Sequence, residues 1–149
     1  MTLQIIRTLH PPEPYLTQLA ELLTRGGYAV TPESLKERIQ MLPEDDRLLL
    51  AIESDKLMGF AHVHRSNNLL YDDTIDLVAV LVRSDFRRRG IGRRLISAAE
   101  AWARQTGRSR LRLCARVLET DLHAFFLSLG YEETSTFIEF VDHLEELSF

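Results

Sequence analysis

Arg87-Arg88-Arg89-Gly90-Ile91-Gly92 follows an apolar run, Leu77–Val82, and opens an amphipathic helical pattern. A glycine-bearing turn at a helix start directs unpaired backbone N–H groups, and the positive end of the helix dipole, at an anion in front of it. Gly90 and Gly92 allow close approach without a Cβ in the way, and the surrounding arginines add charge that pairs with phosphate. The expected ligand is a pyrophosphate, carried by a nucleotide-like cofactor. The loop lacks the G-x-G-x-x-G spacing of a dinucleotide site, because Leu95 stands where the third glycine or alanine would be, and it lacks the Lys-[Ser/Thr] pair of a P-loop. A second group of residues is suited to proton transfer. Asp76, between Ile75 and Leu77, is a carboxylate among apolar neighbours, which suits a general base; a solvated strand-end aspartate beside Asp72-Asp73 is the alternative. His62 and His64 share one strand face by their period-two spacing, either lining a cleft and relaying protons or serving as hydrogen-bonded structural histidines. No metal-ligand set is expected.

The elements that must position these groups are legible from periodicity. Leu3–Arg7 reads as a strand and His10-Pro11-Pro12-Glu13-Pro14 as a stiff connection. Tyr15, Leu16, Leu19, Leu22 and Leu23 repeat at helical spacing up to Gly26-Gly27. Thr31-Pro32 reads as N-cap and first position of a second helix, with Leu35, Ile39 and Leu42 on its buried stripe. Leu48–Glu53 and Leu57–His64 form an antiparallel hairpin about Ser54-Asp55-Lys56, and Thr74–Val82 delivers the chain to the glycine loop. A helix over Ile91–Gln105 places Ile91, Leu95, Ala98, Ala99 and Trp102 on one face, with Gly107 beyond its end. A strand over Ser109–Ala115, containing Cys114, a helix marked by Leu122, Phe125, Phe126 and Leu129, and a closing strand over Phe137–Val141 complete the chain. Strands interrupted by helices predict an α/β sandwich with a mixed sheet.

Two motifs together carry a family resemblance. Arg87-x-x-Gly90-x-Gly92 resembles the pyrophosphate loop of the GCN5-related N-acetyltransferases (GNAT), and Asp121-Leu122-His123-Ala124-Phe125-Phe126-Leu127-Ser128-Leu129-Gly130-Tyr131 is similar to their downstream D-A-H-x-F-Y-x-x-x-G-[FY] pattern. The resemblance implies an α/β/α sandwich whose mixed, mostly antiparallel sheet splays into a V that holds acetyl-coenzyme A. It also implies that backbone groups of Val80, Leu81 and Val82 hold the pantetheine and thioester. Loop amides from Arg88 through Arg89, Gly90, Ile91 and Gly92 to Arg93 would hold the pyrophosphate, and one or more of Arg87, Arg88, Arg93 and Arg94 would reach the 3′-phosphate or neighbouring oxygens. Asp76 falls where some members carry a glutamate base, and His123 matches the family histidine, which either contacts the cofactor side of the cleft or packs its helix on the sheet. Two positions depart from the pattern: Phe126 stands where many members have the tyrosine that protonates the departing thiolate, and Arg116 where some have an asparagine that contacts the cofactor. A missing general acid costs about 10²–10⁴ in rate, which slows acyl transfer without abolishing it. Phe126 belongs equally to the buried stripe of its helix, and Tyr131 reads as a packed aromatic.

The expected activity is transfer of an acetyl group from acetyl-CoA to a primary amine of a small cationic molecule or peptide. Only about one alkyl amine in a thousand or fewer is neutral at pH 7, so a base must accept its proton. Glu44, Asp45, Asp46, Asp72, Asp73 and Asp76 would favour a cationic acceptor such as a polyamine, an aminoglycoside or a lysine. The alternative is a catalytically weakened acyl-CoA-binding or regulatory protein on the same fold. The 149 residues suit one domain, with 45% hydrophobic and 27% charged residues, and the net charge of −4 argues against general nucleic-acid binding. A single cysteine, no signal-like N-terminus and no apolar run of roughly 20 residues predict a cytoplasmic protein without membrane insertion. The resemblance adds a homodimer as a further expectation.

Overall fold

The computed structural model describes residues 2–70, 74–86 and 89–145, so Tyr71, Asp72, Asp73, Arg87 and Arg88 lie outside the described residues. The chain divides into two compact units, Met1–Cys114 and Ala115–Phe149.

Among the described residues, the first unit is a five-stranded sheet in the order β1-β2-β3-β4-β5, with three α-helices and a short 3-10 turn, Ser84–Phe86. β1 (Gln4–Thr8), β2 (Arg47–Glu53), β3 (Lys56–Ser66) and β4 (Thr74–Val82) pair antiparallel in succession. The β2–β3 hairpin closes Glu53 onto Lys56, leaving Ser54 and Asp55 as a two-residue loop with φ of 51° and 61°. Positive φ at both positions is the turn geometry whose twist matches paired strands. α1 (Glu13–Arg25) and α2 (Pro32–Gln40) bury Leu16, Leu19, Leu35 and Ile39 against Leu48, Leu50, Ile52 and Phe60, the side chains of one sheet face. α2 starts on a complete capping box, in which Thr31 and Ser34 each accept the other's backbone N–H at 3.1 and 2.9 Å. Alternation sends Leu49, Ala51, Ala61 and Val63 to the opposite face, where α3 (Ile91–Gln105) contributes buried Ile91, Leu95, Ile96, Ala99 and Ala103.

β5 (Leu111–Arg112) pairs parallel with β4 only at Ile75↔Leu111 and Asp76↔Arg112, aided by the Ile75 N–H donating to the Arg110 carbonyl at 3.1 Å. Beyond Asp76, the described residues give β4 no partner on that edge, so the sheet opens there. The strand expected over Ser109–Ala115 is therefore shorter than its apolar alternation suggested. Cys114 lies outside it with an exposed thiol, which corrects the expectation of a mid-strand cysteine.

The second unit contains α4 (Thr120–Ser128), whose buried Phe126 meets Phe125 and Tyr131 edge-on, with ring centroids 5.2 Å apart in each pair. No strand forms over Phe137–Val141: Phe137, Ile138, Phe140 and Val141 are 61–89% exposed. Apolar alternation supplies a face, but a strand also needs an edge to pair with, and this segment has no ladder among the described residues.

Candidate functional site

The glycine loop delivers β4 into α3. Gly90 is the N-cap of α3 at φ 75°, and a Cβ built there would meet nothing within 4 Å, so glycine is required by backbone conformation and the space above it is open. The contrast with α2 is instructive, because α3 has no side-chain cap and no acidic residue in its first turn. The Arg94 N–H donates to the Gly90 carbonyl, so the amides of Ile91, Gly92 and Arg93 precede the first intrahelical bond. An uncapped helix start with unpaired amides and no neighbouring carboxylate in its first turn is complementary to an anion.

Arg89 lies beside this turn, donating to Glu53 at 3.2 Å, and its guanidinium lies 5.5 Å from the Phe86 ring, while Arg83 covers the same ring at 5.2 Å. Arg83 also pairs with Asp85 at 3.2 Å, and that hydrogen bond holds the exposed Asp85 carboxyl below its usual range. A cavity of about 330 Å³ by the loop is lined by Thr2, Leu3, Glu53, Arg89, Ile91 and Arg94. Val80, Leu81 and Val82 lie on the part of β4 whose β5-side edge has no ladder partner among the described residues.

β3 and β4 bring a polar group together on the face shared with α1 and α2. His62 pairs with Ala79 and His64 with Asp76, and a register shift falls between His62 and Val63. Bulges of this kind re-aim side chains and are common beside active sites. Asp46, just before β2, is 1% exposed, and its two carboxylate oxygens meet His62 Nε2 at 2.8 Å and His64 Nδ1 at 2.7 Å. This corrects the expectation that Asp46 belongs to an exposed acidic patch. The turn that carries it is anchored twice. The Asp46 N–H donates to the Pro43 carbonyl at 3.0 Å, and the Arg47 guanidinium donates to the Glu44 and Asp46 carbonyls at 2.6 Å while lying 4.9 Å from the Trp102 ring. Asp45 pairs with Arg65 at 3.6 Å, and both are open to solvent.

Asp76 is also engaged. Arg112 donates to both its carboxylate oxygens at 3.2 Å, and the Thr74 hydroxyl donates to Oδ1 at 3.3 Å. The Arg112 fork and the Thr74 hydroxyl together make three hydrogen bonds to the Asp76 carboxylate and fix its orientation.

The remaining predicted residues lie in the second unit. The Arg116 N–H donates to Glu119 at 2.9 Å, and its carbonyl lies 2.7 Å from His123 Nε2, a nitrogen that must therefore donate. Phe126 is 6% exposed, as its place on a buried stripe requires. Sequence reading missed the Asp46–His62–His64 cluster and the Arg112 partner of Asp76. The His-x-His spacing was visible, but nothing local in sequence ties it to an aspartate 16 and 18 residues upstream. Among the described residues, no helix is long and apolar enough to cross a membrane.

Comparisons with known proteins identify the family and the fold. A family model for the acetyltransferase (GNAT) family matches residues 14–131. An aminoglycoside N(6′)-acetyltransferase type 1 from Stenotrophomonas maltophilia is 29% identical over 129 residues, covering 83% of this chain and 84% of the relative. An aminoalkylphosphonate N-acetyltransferase from Salmonella typhimurium is 28% identical over 123 residues, covering 74% and 80%. Among solved structures, AAC(6′)-Iy in complex with a bisubstrate analogue of CoA and acetylneamine superposes with a TM-score of 0.81 at 17% identity, over 97% of this chain and all of that one.

Proposed function

The chain belongs to the GNAT family of acetyltransferases, and from that premise we propose that it transfers the acetyl group of acetyl-CoA to a primary amine of a small cationic molecule. Acetyl-CoA, when bound, supplies an activated acetyl group on a thiolate leaving group. The open turn at Gly90 and the uncapped start of α3 fit its pyrophosphate, with Arg93 and Arg94 on the first turn of the same helix. The single observation that carries the reading is this anion-complementary helix start, the next α-helix after a strand whose β5-side edge lacks a β-partner beyond Asp76 among the described residues. Arg87 and Arg88 complete the loop by sequence. Val80, Leu81 and Val82 offer backbone groups to the pantetheine arm.

His64 is the proposed base. Its Nε2 makes no hydrogen bond among the described residues, and its side chain is 37% exposed, enough to meet an incoming amine or a bridging water. Asp76, fixed by Arg112, contributes fixed charge and shape beside His64 rather than proton transfer. At the position of the expected tyrosine acid stands Phe126, so the thiolate leaves by taking a proton from solvent. The relatives that act on aminoglycosides and aminoalkylphosphonates support a small amine acceptor. An exposed free thiol at Cys114 suits a reducing cytoplasm.

The test is a panel of acceptors under initial-rate conditions, following CoA thiol release: an aminoglycoside, an aminoalkylphosphonate, spermidine, a lysine peptide and a neutral amino sugar. The proposal expects kcat/KM at least about 10-fold higher for the polycationic small amines than for the neutral amine and the peptide, a difference of about 1.4 kcal/mol. Equal turnover across the panel removes the substrate class. No turnover with any amine, despite acetyl-CoA binding, favours a binding or regulatory protein, a reading motivated by Phe126 and Arg116.

A further inference from the structure

We propose that Asp46 is the positioning residue of this site: it fixes His62 and His64 in opposite tautomers, so that the bare Nε2 of His64 is presented as the proton acceptor. The inference rests on the amine-acetylation reading above and concerns how its base is held.

Asp46 is a buried carboxylate that neither lysine nor arginine pairs with among the described residues; its two oxygens are met by two imidazole nitrogens at 2.8 and 2.7 Å. An unsatisfied buried carboxylate is costly, and an ionised one accepts hydrogen bonds without donating any. Each facing ring nitrogen therefore carries a proton. The nitrogens differ: His62 presents Nε2, whereas His64 presents Nδ1. Neutral His62 is then the Nε2–H tautomer and neutral His64 the Nδ1–H tautomer, with the second nitrogen of each left as an acceptor.

Exposure decides which of the two acceptors is usable. The His62 side chain is 17% exposed and that of His64 is 37% exposed. Among the described residues, two neighbouring carboxylates have arginine partners, Asp76 with Arg112 and Asp45 with Arg65. Across β2, His62 is paired with apolar Leu48, and across β4 with Ala79.

In the proton step, an N–H bond of the acceptor ammonium breaks and an Nε2–H bond forms on His64. The resulting imidazolium is stabilised by Asp46 on its other nitrogen, and the proton then leaves to solvent through the exposed edge of the ring. The freed amine lone pair forms the N–C bond to the acetyl carbon, the C–S bond breaks with its electron pair going to the coenzyme thiolate, and the new amide nitrogen loses its second proton to solvent.

Two readouts test this. Long-range ¹⁵N–¹H spectra of the wild-type protein, recorded at about pH 8 where ordinary imidazoles are neutral, should show His64 protonated on Nδ1 and His62 on Nε2. In Asp46→Asn, His64 should lose its fixed Nδ1–H state, and kcat should fall by about 10²-fold while the acetyl-CoA dissociation constant stays within about twofold. An Nε2–H signal for His64 in the wild-type protein overturns the proposal whether or not any variant folds. So does an Asp46→Asn enzyme with wild-type kcat. If that variant does not fold, His64→Gln replaces it, and an undiminished kcat there is equally fatal. Failure of the acceptor panel is a separate result, because the tautomer measurement needs no turnover.

Discussion

Replacing Gly59 with alanine should damage the site from the neighbouring strand. Gly59 lies on β3 opposite Val82, and a Cβ built on it stands 2.8 Å from the Leu81 carbonyl oxygen, 3.3 Å from Val82 Cα and 3.3 Å from Leu95 Cδ1. Ordinary contact begins near 3.4 Å, so the Leu81 carbonyl must retreat by about 0.6 Å. The obstacle is backbone, which cannot rotate away as a side-chain tip can. Overpacking of this kind costs about 1–3 kcal/mol, or about 2–12 °C in Tm for a domain of this size. Leu81 is also one of three residues proposed to hold the pantetheine arm. A shift of that size should therefore weaken acetyl-CoA binding by about tenfold, since positional errors near 1 Å are costly where groups must be aligned. The assay is calorimetric titration with acetyl-CoA beside thermal unfolding, with Leu19→Ala as control. Leu19 is 1% exposed on α1, and its truncation should cost about 2–5 kcal/mol while leaving acetyl-CoA affinity unchanged. Wild-type affinity in Gly59→Ala, or an equal loss in both variants, would refute the link between β3 packing and the cofactor strand.

Three further outcomes are expected. Gly90→Ala should cost about 1 kcal/mol in urea unfolding through its left-handed φ alone, with Gly90→Asn milder, because no atom obstructs the new side chain. Thr31→Ala removes one arm of the α2 capping box and should lower stability by about 1 kcal/mol, read by the same unfolding curve. The Asp85 carboxyl, hydrogen-bonded by Arg83, should titrate below the ordinary aspartate range in an NMR pH series and move up in Arg83→Gln. Because the folded value is depressed, the stabilisation from this pair is present above the unfolded value of about 3.9 and is lost as pH falls through the folded one. A midpoint that ignores Arg83→Gln contradicts the assignment.

Most of what local pattern controls was readable in advance. Thr74–Val82 and Ile91–Gln105 form the elements their periodicity describes, and Thr31-Pro32 opens α2 as N-cap and N1. These features depend on residues a few positions apart. The exceptions depend on partners far along the chain. Ser109–Ala115 has strand-like alternation, yet pairing covers only Leu111 and Arg112, and Phe137–Val141 has apolar residues but no ladder among the described residues. The site divides in the same way. Gly90 marks the start of α3 through glycine spacing, whereas Asp46 looked like one more acid in Glu44-Asp45-Asp46 until the fold set it against His62 and His64. Asp76 was legible as a carboxylate among apolar residues, but its Arg112 partner is 36 positions away.

The central claim is that the loop opening α3 presents acetyl-CoA to an amine, and the most direct measurement counts products. Purified protein is incubated with acetyl-CoA and an aminoglycoside, and the free CoA thiol and the N-acetylated amine are quantified together, for the wild type and for Gly92→Glu, which places a carboxylate in the first turn of the helix. One thiol per acetylated amine in the wild type, with both lost in a folded Gly92→Glu protein, is the predicted result. Amine acetylation that survives Gly92→Glu unchanged would contradict it.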